Sequence, residues 1–196
     1  TASYQIEGGI ENCDWAKAAR DGKVPACGLA CDHYNRFESD FDIAKELGHT
    51  CHRISVEWAR IEPEEGKFNE EAIEHYRQVI KALRERGIEP FVTLYHWTLP
   101  TWVRDQGGWK NKKTISDFVT FCEKIVKNIS GVTYWIVLNE PLVYAKVSYI
   151  EGRWPPQEKS LFSYLRVSRN LVKAHKAAYG VIKQIQPGSQ VGIAHN

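Results

Sequence analysis

The sequence predicts an α/β fold, and within that class a (β/α)8 barrel of which the 196 residues would cover about strands 1 to 5. Three observations lead to this prediction. Apolar, β-branched runs alternate with helical patterns, no change in composition interrupts the alternation, and one strand after another ends in polar side chains. Residues 1–196 are therefore expected to form one unit, the N-terminal half of a single barrel.

The predicted strands begin near the N-terminus. Residues 3–5 would be the end of a first strand, and longer runs follow at 52–58, 89–96, 133–140 and 190–196. Helical patterns fill the intervals at 37–47, 70–86, 114–129 and 161–185. In the second of these, apolar Ile73, Tyr76, Ile80 and Leu83 recur at helical spacing, and Gly87 supplies the C-terminal cap.

Polar residues at the predicted strand ends distinguish a barrel from its alternative, a doubly wound open sheet. Such a sheet usually carries a Gly-rich phosphate-binding turn after its first strand, and Gly8-Gly9 alone does not supply one. In barrels the active site is built at the C-terminal ends of several strands. The polar residues at these ends are Gln5, Glu57, His96, Asn139, Glu140, His195 and Asn196. A plainer explanation, that polar residues resume wherever burial stops, accounts for one or two of these positions.

Composition excludes several classes of partner. The net charge of +2 is spread over scattered residues of both signs, so no nucleic-acid partner is expected. Apolar stretches such as 91–95 and 134–138 are far shorter than the ~20 residues of a membrane helix, so no membrane partner is expected either. The chain has no Met and starts within a predicted strand, which suggests that its native start lies elsewhere.

Five cysteines, an odd number, cannot all pair within the chain, so free thiols in a reducing compartment, the cytoplasm, are expected. Cys27, Cys31 and His33 can be drawn as a metal site, but a second pair of ligands at zinc-finger spacing is missing. We therefore expect neither a metal nor another cofactor.

The sharpest motif is Asn139-Glu140-Pro141 at the end of an apolar run. A carboxyl group that emerges from a buried strand is partly desolvated, which favours its neutral, proton-donating form. Asn139 beside it can hydrogen-bond a sugar hydroxyl. Taken alone, the three residues are equally typical of a strand end followed by a Pro-marked helix start.

Further motifs give the chain a resemblance to glycoside hydrolase family 1, the β-glucosidase and β-galactosidase family. Segments similar to that family occur in its order at 2–8 (Ala-Ser-Tyr-Gln-Ile-Glu-Gly), 30–36 (Ala-Cys-Asp-His-Tyr-Asn-Arg), 53–61 (Arg-Ile-Ser-Val-Glu-Trp-Ala-Arg-Ile), 87–100 (Gly-Ile-Glu-Pro-Phe-Val-Thr-Leu-Tyr-His-Trp-Thr-Leu-Pro), 107–109 (Gly-Gly-Trp) and 135–141 (Trp-Ile-Val-Leu-Asn-Glu-Pro). The resemblance runs over essentially the whole chain. It implies a (β/α)8 barrel and a retaining β-glycosidase without a cofactor, acting on a β-glycoside or oligosaccharide.

The resemblance also implies roles for individual residues. Glu140 corresponds to the general acid/base, and Gln5, His96 and Asn139 to hydrogen-bonding partners of the sugar. Trp97 resembles an aromatic near the sugar, and Arg53 the arginine that supports the nucleophilic carboxylate. The competing interpretations are a core histidine satisfied by backbone groups for His96 and a core aromatic for Trp97.

Two departures from the family pattern affect the predicted function. Leu142 stands where the family often has Trp, which makes the leaving-group side less aromatic. The family's nucleophile belongs to a Thr-Glu-Asn-Gly motif, which this sequence does not contain, and Glu57 does not occupy its position. The 196 residues alone are therefore expected to be inactive. They would be the N-terminal part of an enzyme that needs its complementary C-terminal half, or else a non-catalytic sugar-binding chain or a self-associating half-barrel.

Overall fold

The computed structural model describes residues 1–195. Its strands are β1 (Cys51–Ser55), β2 (Glu89–Tyr95), β3 (Tyr134–Asn139) and β4 (Gln190–Ala194). Its helices are α1 (Ser3–Ile6), α2 (Asp14–Arg20), α3 (His33–Glu46), α4 (Trp58–Ile61), α5 (Glu70–Glu85), α6 (Thr101–Asp105), α7 (Lys113–Asn128), α8 (Pro141–Lys146) and α9 (Leu161–Ile185). A 3₁₀ turn spans Gly108–Lys110, and a π-helical segment, Val147–Glu151, continues α8.

The four strands form one parallel sheet in the order β1-β2-β3-β4. Helices α5, α7 and α9 connect successive strands, so every crossover moves one strand further in the same direction. A doubly wound sheet reverses direction partway, and this sheet does not. The progression is that of a barrel wall, as the sequence predicted.

Local sequence explains the helix that joins β1 to β2. The side chain of Asn69 caps α5 by accepting a hydrogen bond from the backbone N–H of Ala72 at 3.1 Å. The apolar stripe predicted from the sequence is buried. The helix ends where Gly87 adopts a φ of 69°, a conformation that suits glycine best.

The core lies between the sheet and its connecting helices. Trp58, at the start of α4, stacks on Phe121 of α7 with ring centroids 5.3 Å apart and also contacts Phe118. All three side chains are fully buried. Burying such a side chain contributes about 1.5–3 kcal/mol, so this aromatic cluster fixes α7 against the residues that follow β1.

Two strand predictions need correction. The segment predicted as the end of a first strand, 3–5, is a helical turn, because the backbone N–H of Ser3 is bound by the Ser55 side chain at 2.7 Å and the N–H of Gln5 turns back to Ala2. Before this turn Ala2 is extended, and Thr1 donates to the carbonyl of Arg53 in β1. The described residues therefore contain four strands, not five.

The strand predicted at 52–58 also ends early. Regular pairing stops at Ser55, and Glu57 then caps α4 by accepting a hydrogen bond from Ala59. The predicted run at 190–196 is a strand as far as Ala194, and Asn196 lies outside the described residues.

Large apolar side chains remain exposed at the two sides of the sheet. On α3 and its end they are Ile43 and Leu47, and on α9 they include Phe162, which is 87% exposed, and Leu165. Within residues 1–195, no helix combines the length and apolarity that crossing a bilayer requires.

Candidate active site

The parallel register brings the predicted site residues together at one edge of the sheet. Tyr95 of β2 pairs with Leu138 of β3, so the next residues, His96 and Asn139, leave the two strands side by side. Glu140 follows Asn139 directly and stays tied to the sheet, because its backbone N–H donates to the carbonyl of Ala194 at 2.8 Å. These strand ends therefore lie together at one edge of the sheet, the edge at which barrels build their active sites.

Arg53 links three strands beneath these residues. From β1 its Nε atom donates to Thr93 Oγ1 of β2 at 2.9 Å, and its Nη2 atom donates to Asn139 Oδ1 of β3 at 2.6 Å. Burial lowers the pKa of Arg53 below its ordinary value, an effect that the carboxylate of Glu140 opposes. The guanidinium is thus a fixed positive charge within electrostatic reach of the Glu140 carboxylate.

Two site residues have strained backbones. Glu140 has a φ of 43° and Trp97 a φ of 78°, both in the left-handed region that costs a non-glycine residue about 1–3 kcal/mol. The indole Nε1 of Trp97 donates to the carbonyl of Asn139 at 3.0 Å, which fixes the ring beside the residue that precedes Glu140. Strain of this kind is concentrated at functional sites in proteins.

His96 is held neutral between these groups. Burial, together with a smaller effect from the positive charge of Arg53, lowers the pKa of its imidazole to about 3. The Nδ1 atom is buried and has no hydrogen-bond partner among residues 1–195. Among these residues no backbone group satisfies this nitrogen, as the interpretation of His96 as a core histidine would require.

Trp154 joins the site although the sequence reasoning missed it. It lies in the loop after the π-helical segment, and its ring centroid is 4.3 Å from that of Trp97 and 5.7 Å from that of Trp15. All three indoles are partly exposed. The available signal was a tryptophan in Gly152-Arg-Trp-Pro-Pro156, a loop sequence with neither strand nor helix periodicity.

Gln5 stands apart from this network. It is exposed on the helical turn α1, and none of the hydrogen bonds found within residues 1–195 joins its side chain to the other site residues. Nor do these residues contain a group of three or more His, Cys, Asp or Glu side chains arranged to hold a metal ion.

The sequence profile described as Glycosyl hydrolase family 1 matches residues 1–196. The chain belongs to this family. It is 38% identical to the β-glucosidase A of Acetivibrio thermocellus, over 100% of this chain and 46% of that relative, and 31% identical to a 6-phospho-β-galactosidase of Lacticaseibacillus casei, over 100% and 43%. The resemblance read from the motifs is confirmed.

Solved structures of family members match the fold as well. The β-glucosidase from Thermotoga maritima in complex with deoxynojirimycin aligns with a TM-score of 0.96 and 36% identity, over 100% of this chain and 48% of that one. A β-glycosidase from Pyrococcus horikoshii aligns with a TM-score of 0.95 and 37% identity, over 100% and 46%. The chain spans about half the length of the relatives it matches, and the part it spans is a partial (β/α)8 barrel.

Among the strand ends of this family 1 chain, Glu57 is a second carboxylate of different character. It is 1% exposed and accepts hydrogen bonds from Ser3 Oγ at 2.8 Å, from Thr98 Oγ1 at 2.9 and 3.0 Å, and from the backbone of Ala59. Both of its oxygens are thereby occupied, which is typical of a structural carboxylate.

Proposed function

We propose that this chain supplies the acid/base half of a retaining β-glycosidase site that hydrolyses terminal β-linked sugars, with a β-glucoside as its substrate. The observation that carries the proposal is the position of Glu140. It stands at the C-terminal end of a parallel strand, on strained backbone, within electrostatic reach of Arg53 and next to the residue whose carbonyl holds Trp97. The family relationship supports glycoside hydrolysis as the chemistry of such a site.

The proposed reaction is a double displacement. Glu140 gives its proton to the glycosidic oxygen while a second carboxylate attacks the anomeric carbon, so the bond to the leaving group breaks and a covalent glycosyl ester forms. The Glu140 carboxylate then takes a proton from water, whose oxygen attacks the same carbon and expels the second carboxylate. The two carboxyl groups would stand about 5 to 5.5 Å apart.

The other site residues take supporting roles in this proposal. Asn139 and neutral His96 hydrogen-bond the sugar hydroxyls, Gln5 does so from the turn α1, and Trp97 forms an aromatic wall. Arg53 stabilises the second carboxylate. Its charge is half-buried and fixed by two hydrogen bonds, so the carboxylate that approaches it would remain ionised and nucleophilic.

The second carboxylate would come from a complementary C-terminal half, which is the proposed partner of this chain. Two features support such a partner. Exposed apolar side chains concentrate on α3 and α9, which precede the two edge strands. On the face of the sheet away from these helices, Phe91 and Tyr134 stack with centroids 4.3 Å apart and remain partly exposed. Apolar patches of this kind mark association surfaces.

The proposal is tested by reconstitution. The purified 196-residue chain should hydrolyse no aryl β-glucoside and should self-associate in light scattering, because its strand edges and inner face are open. Hydrolysis should appear when the complementary half is added, and should exceed that of aryl β-galactoside and 6-phospho-β-galactoside in the same mixture. A mixture containing Glu140→Gln is the matched control. A stable monomer that hydrolyses the glucoside by itself would overturn the requirement for a partner.

A further inference from the structure

A cavity of about 250 Å³ lies away from the candidate active site. Its lining comes from α2, from the residues between Leu99 and Lys110, and from the stretch between Tyr144 and Glu158. None of the six predicted site residues lines it. At about 30 Å³ of liquid volume for each water, the space holds roughly eight waters, comparable with one sugar ring.

Asp14 is the one charged side chain of this lining that is buried. It is 4% exposed, and its Oδ1 atom accepts the backbone N–H groups of Trp15 and Leu99, both at 2.9 Å. The Oδ2 atom accepts no hydrogen bond from residues 1–195. Burial raises the pKa of this carboxyl to about 7 against the opposing effect of the two N–H groups. Near neutral pH, the free oxygen can therefore accept or donate a hydrogen bond.

The remaining lining combines apolar surfaces with donors. Tyr144 and Tyr149, both fully buried, and Pro155 form apolar walls, and Arg104 and Lys110 contribute cationic groups. This mixture of flat apolar surface and a few fixed polar groups is typical of small-molecule sites.

The charges around the cavity favour a neutral ligand. Of the four cations in the lining, Lys17 pairs with Asp21 at 2.6 Å, Arg104 with Asp105 at 2.5 Å and Lys110 with Glu158, so three are already compensated, and only Lys23 has no ion pair among residues 1–195. An anion would also approach the buried carboxyl of Asp14. A neutral polyhydroxylated ring needs no free cation and is not repelled by the Asp14 carboxyl. Its hydroxyls can use the donors and acceptors while its C–H faces cover the apolar walls.

We propose that this cavity binds one neutral sugar ring, with Asp14 Oδ2 hydrogen-bonded to a sugar hydroxyl. Such a site would be separate from the site of hydrolysis, and the proposal does not depend on Glu140 acting as an acid. Tyr144 lies on α8, the helix that begins directly after Glu140, so the two sites share one structural element.

The test uses D-glucose as the probe, titrated by saturation-transfer NMR into the chain assembled with its complementary half. A His96→Ala background removes a hydrogen-bonding group of the candidate active site, so that binding there is weakened in every sample. In this background Asp14→Asn keeps the Oδ1 acceptor and the side-chain shape but replaces the free oxygen with an NH₂ group. At pH 8.5, where the Asp14 carboxyl is mostly ionised, we expect it to weaken glucose binding about ten-fold, because an amide that can only donate replaces a charged acceptor. Ala18→Leu, which fills the cavity from α2, should abolish the same signal.

Several results would overturn the proposal. Glucose affinity that both variants leave unchanged would show that the sugar binds elsewhere. Inorganic phosphate that binds in place of glucose, and more tightly in Asp14→Asn, would identify an anion site instead. Circular dichroism checks that each variant folds. If Ala18→Leu fails to fold, the smaller substitution Ala18→Val takes its place. If the candidate active site itself binds no sugar, the wild type and the His96→Ala background will give identical glucose titrations, which leaves the cavity measurement intact.

Discussion

Two glutamates follow parallel strands of this sheet, and their surroundings differ in every respect that matters for chemistry. Glu57, after β1, is buried and has its two oxygens bound by Ser3, Thr98 and Ala59. Glu140, after β3, is partly exposed, and within residues 1–195 no side-chain hydrogen bond to it is found. A buried carboxyl group whose oxygens are both bound within the protein is out of a substrate's reach, whereas Glu140 is accessible and has no such bonds.

The two glutamates also differ in backbone conformation. Glu57 has a φ of −84°, an ordinary extended value, and caps α4 with its own side chain. Glu140 has a φ of 43° and precedes α8 without a side-chain capping bond. The first glutamate stabilises its turn, whereas the second is held at a cost by its neighbours. A carboxylate at a strand end is therefore available to the site only when the surrounding hydrogen bonds leave it unsatisfied.

The largest effect that would separate the two glutamates is on catalysis. In the assembled protein, Glu140→Gln should lower the hydrolysis of poorly leaving alkyl β-glucosides by about 10²- to 10⁴-fold, because general acid catalysis is worth that much where protonation is needed. Aryl glucosides with activated leaving groups should lose far less in the step that breaks the glycosidic bond. Steady-state kcat/KM on both substrate classes measures the difference, and equal losses would contradict the acid/base role.

The next effect is on stability and concerns Glu57. Glu57→Ala removes the acceptor of three side-chain and backbone donors in a buried site, so the free energy of unfolding should fall by about 3 kcal/mol. Glu57→Gln keeps the shape and one carbonyl oxygen, and should lose about 1 kcal/mol. Urea unfolding followed by tryptophan fluorescence measures both. If Glu57→Ala instead left stability intact and abolished hydrolysis, Glu57 rather than Glu140 would be the reactive carboxylate.

Much of this architecture was predictable from local sequence. Strands β2 and β3 and helices α5, α7 and α9 fall within a residue or two of their predicted bounds, because hydrophobic periodicity and caps determine them. Parallel strands also place their C-terminal ends at one edge, which is why His96 and Asn139 leave neighbouring strands side by side, whereas Gln5 stands apart and the sugar-binding roles stay predictions.

Other features depend on contacts between distant segments and were not predictable. The helical turn at 3–5 depends on the Ser55 side chain, 52 residues away. The carboxylate oxygens of Glu57 accept hydrogen bonds from Ser3 and Thr98, which come from opposite directions along the chain. Trp154 meets Trp97 across 57 residues, and no periodic pattern encodes such a pair.

A smaller effect concerns His96, at the end of the strand between the two glutamates. The pKa of its imidazole is about 3 in the folded chain, against an ordinary value of 6.5, so the unfolded chain binds a proton that the folded chain does not between these pH values. The neutral imidazole therefore costs the folded state nothing above about pH 6.5. As the pH falls below 6.5, protonation of the unfolded chain lowers the free energy of unfolding. Since the ring is partly exposed, we expect a loss of about 1–2 kcal/mol by pH 4.5, less than the full shift implies.

The variant His96→Gln isolates this contribution. It has no titrating group, so the difference in unfolding free energy between the wild type and the variant should shift by that amount, in favour of the variant, between pH 7 and pH 4.5. Other groups titrate in the same range, including His52 and Asp14, but they are common to both proteins and cancel. A difference that stayed constant with pH would contradict the neutral state assigned to His96.

The smallest effect returns to the backbone of the two glutamates. Asn adopts the left-handed region more readily than Glu, so Glu140→Asn should raise the free energy of unfolding by about 0.5–1 kcal/mol while it abolishes general acid catalysis. The matched variant Glu57→Asn should lower stability, because its backbone is unstrained and its shorter side chain cannot reach both Ser3 and Thr98. Urea unfolding of the two variants beside the wild type measures both signs. A loss of stability in Glu140→Asn would mean that the Glu140 side chain makes a stabilising contact of its own, and the contrast between a structural and a reactive glutamate would then be one of degree.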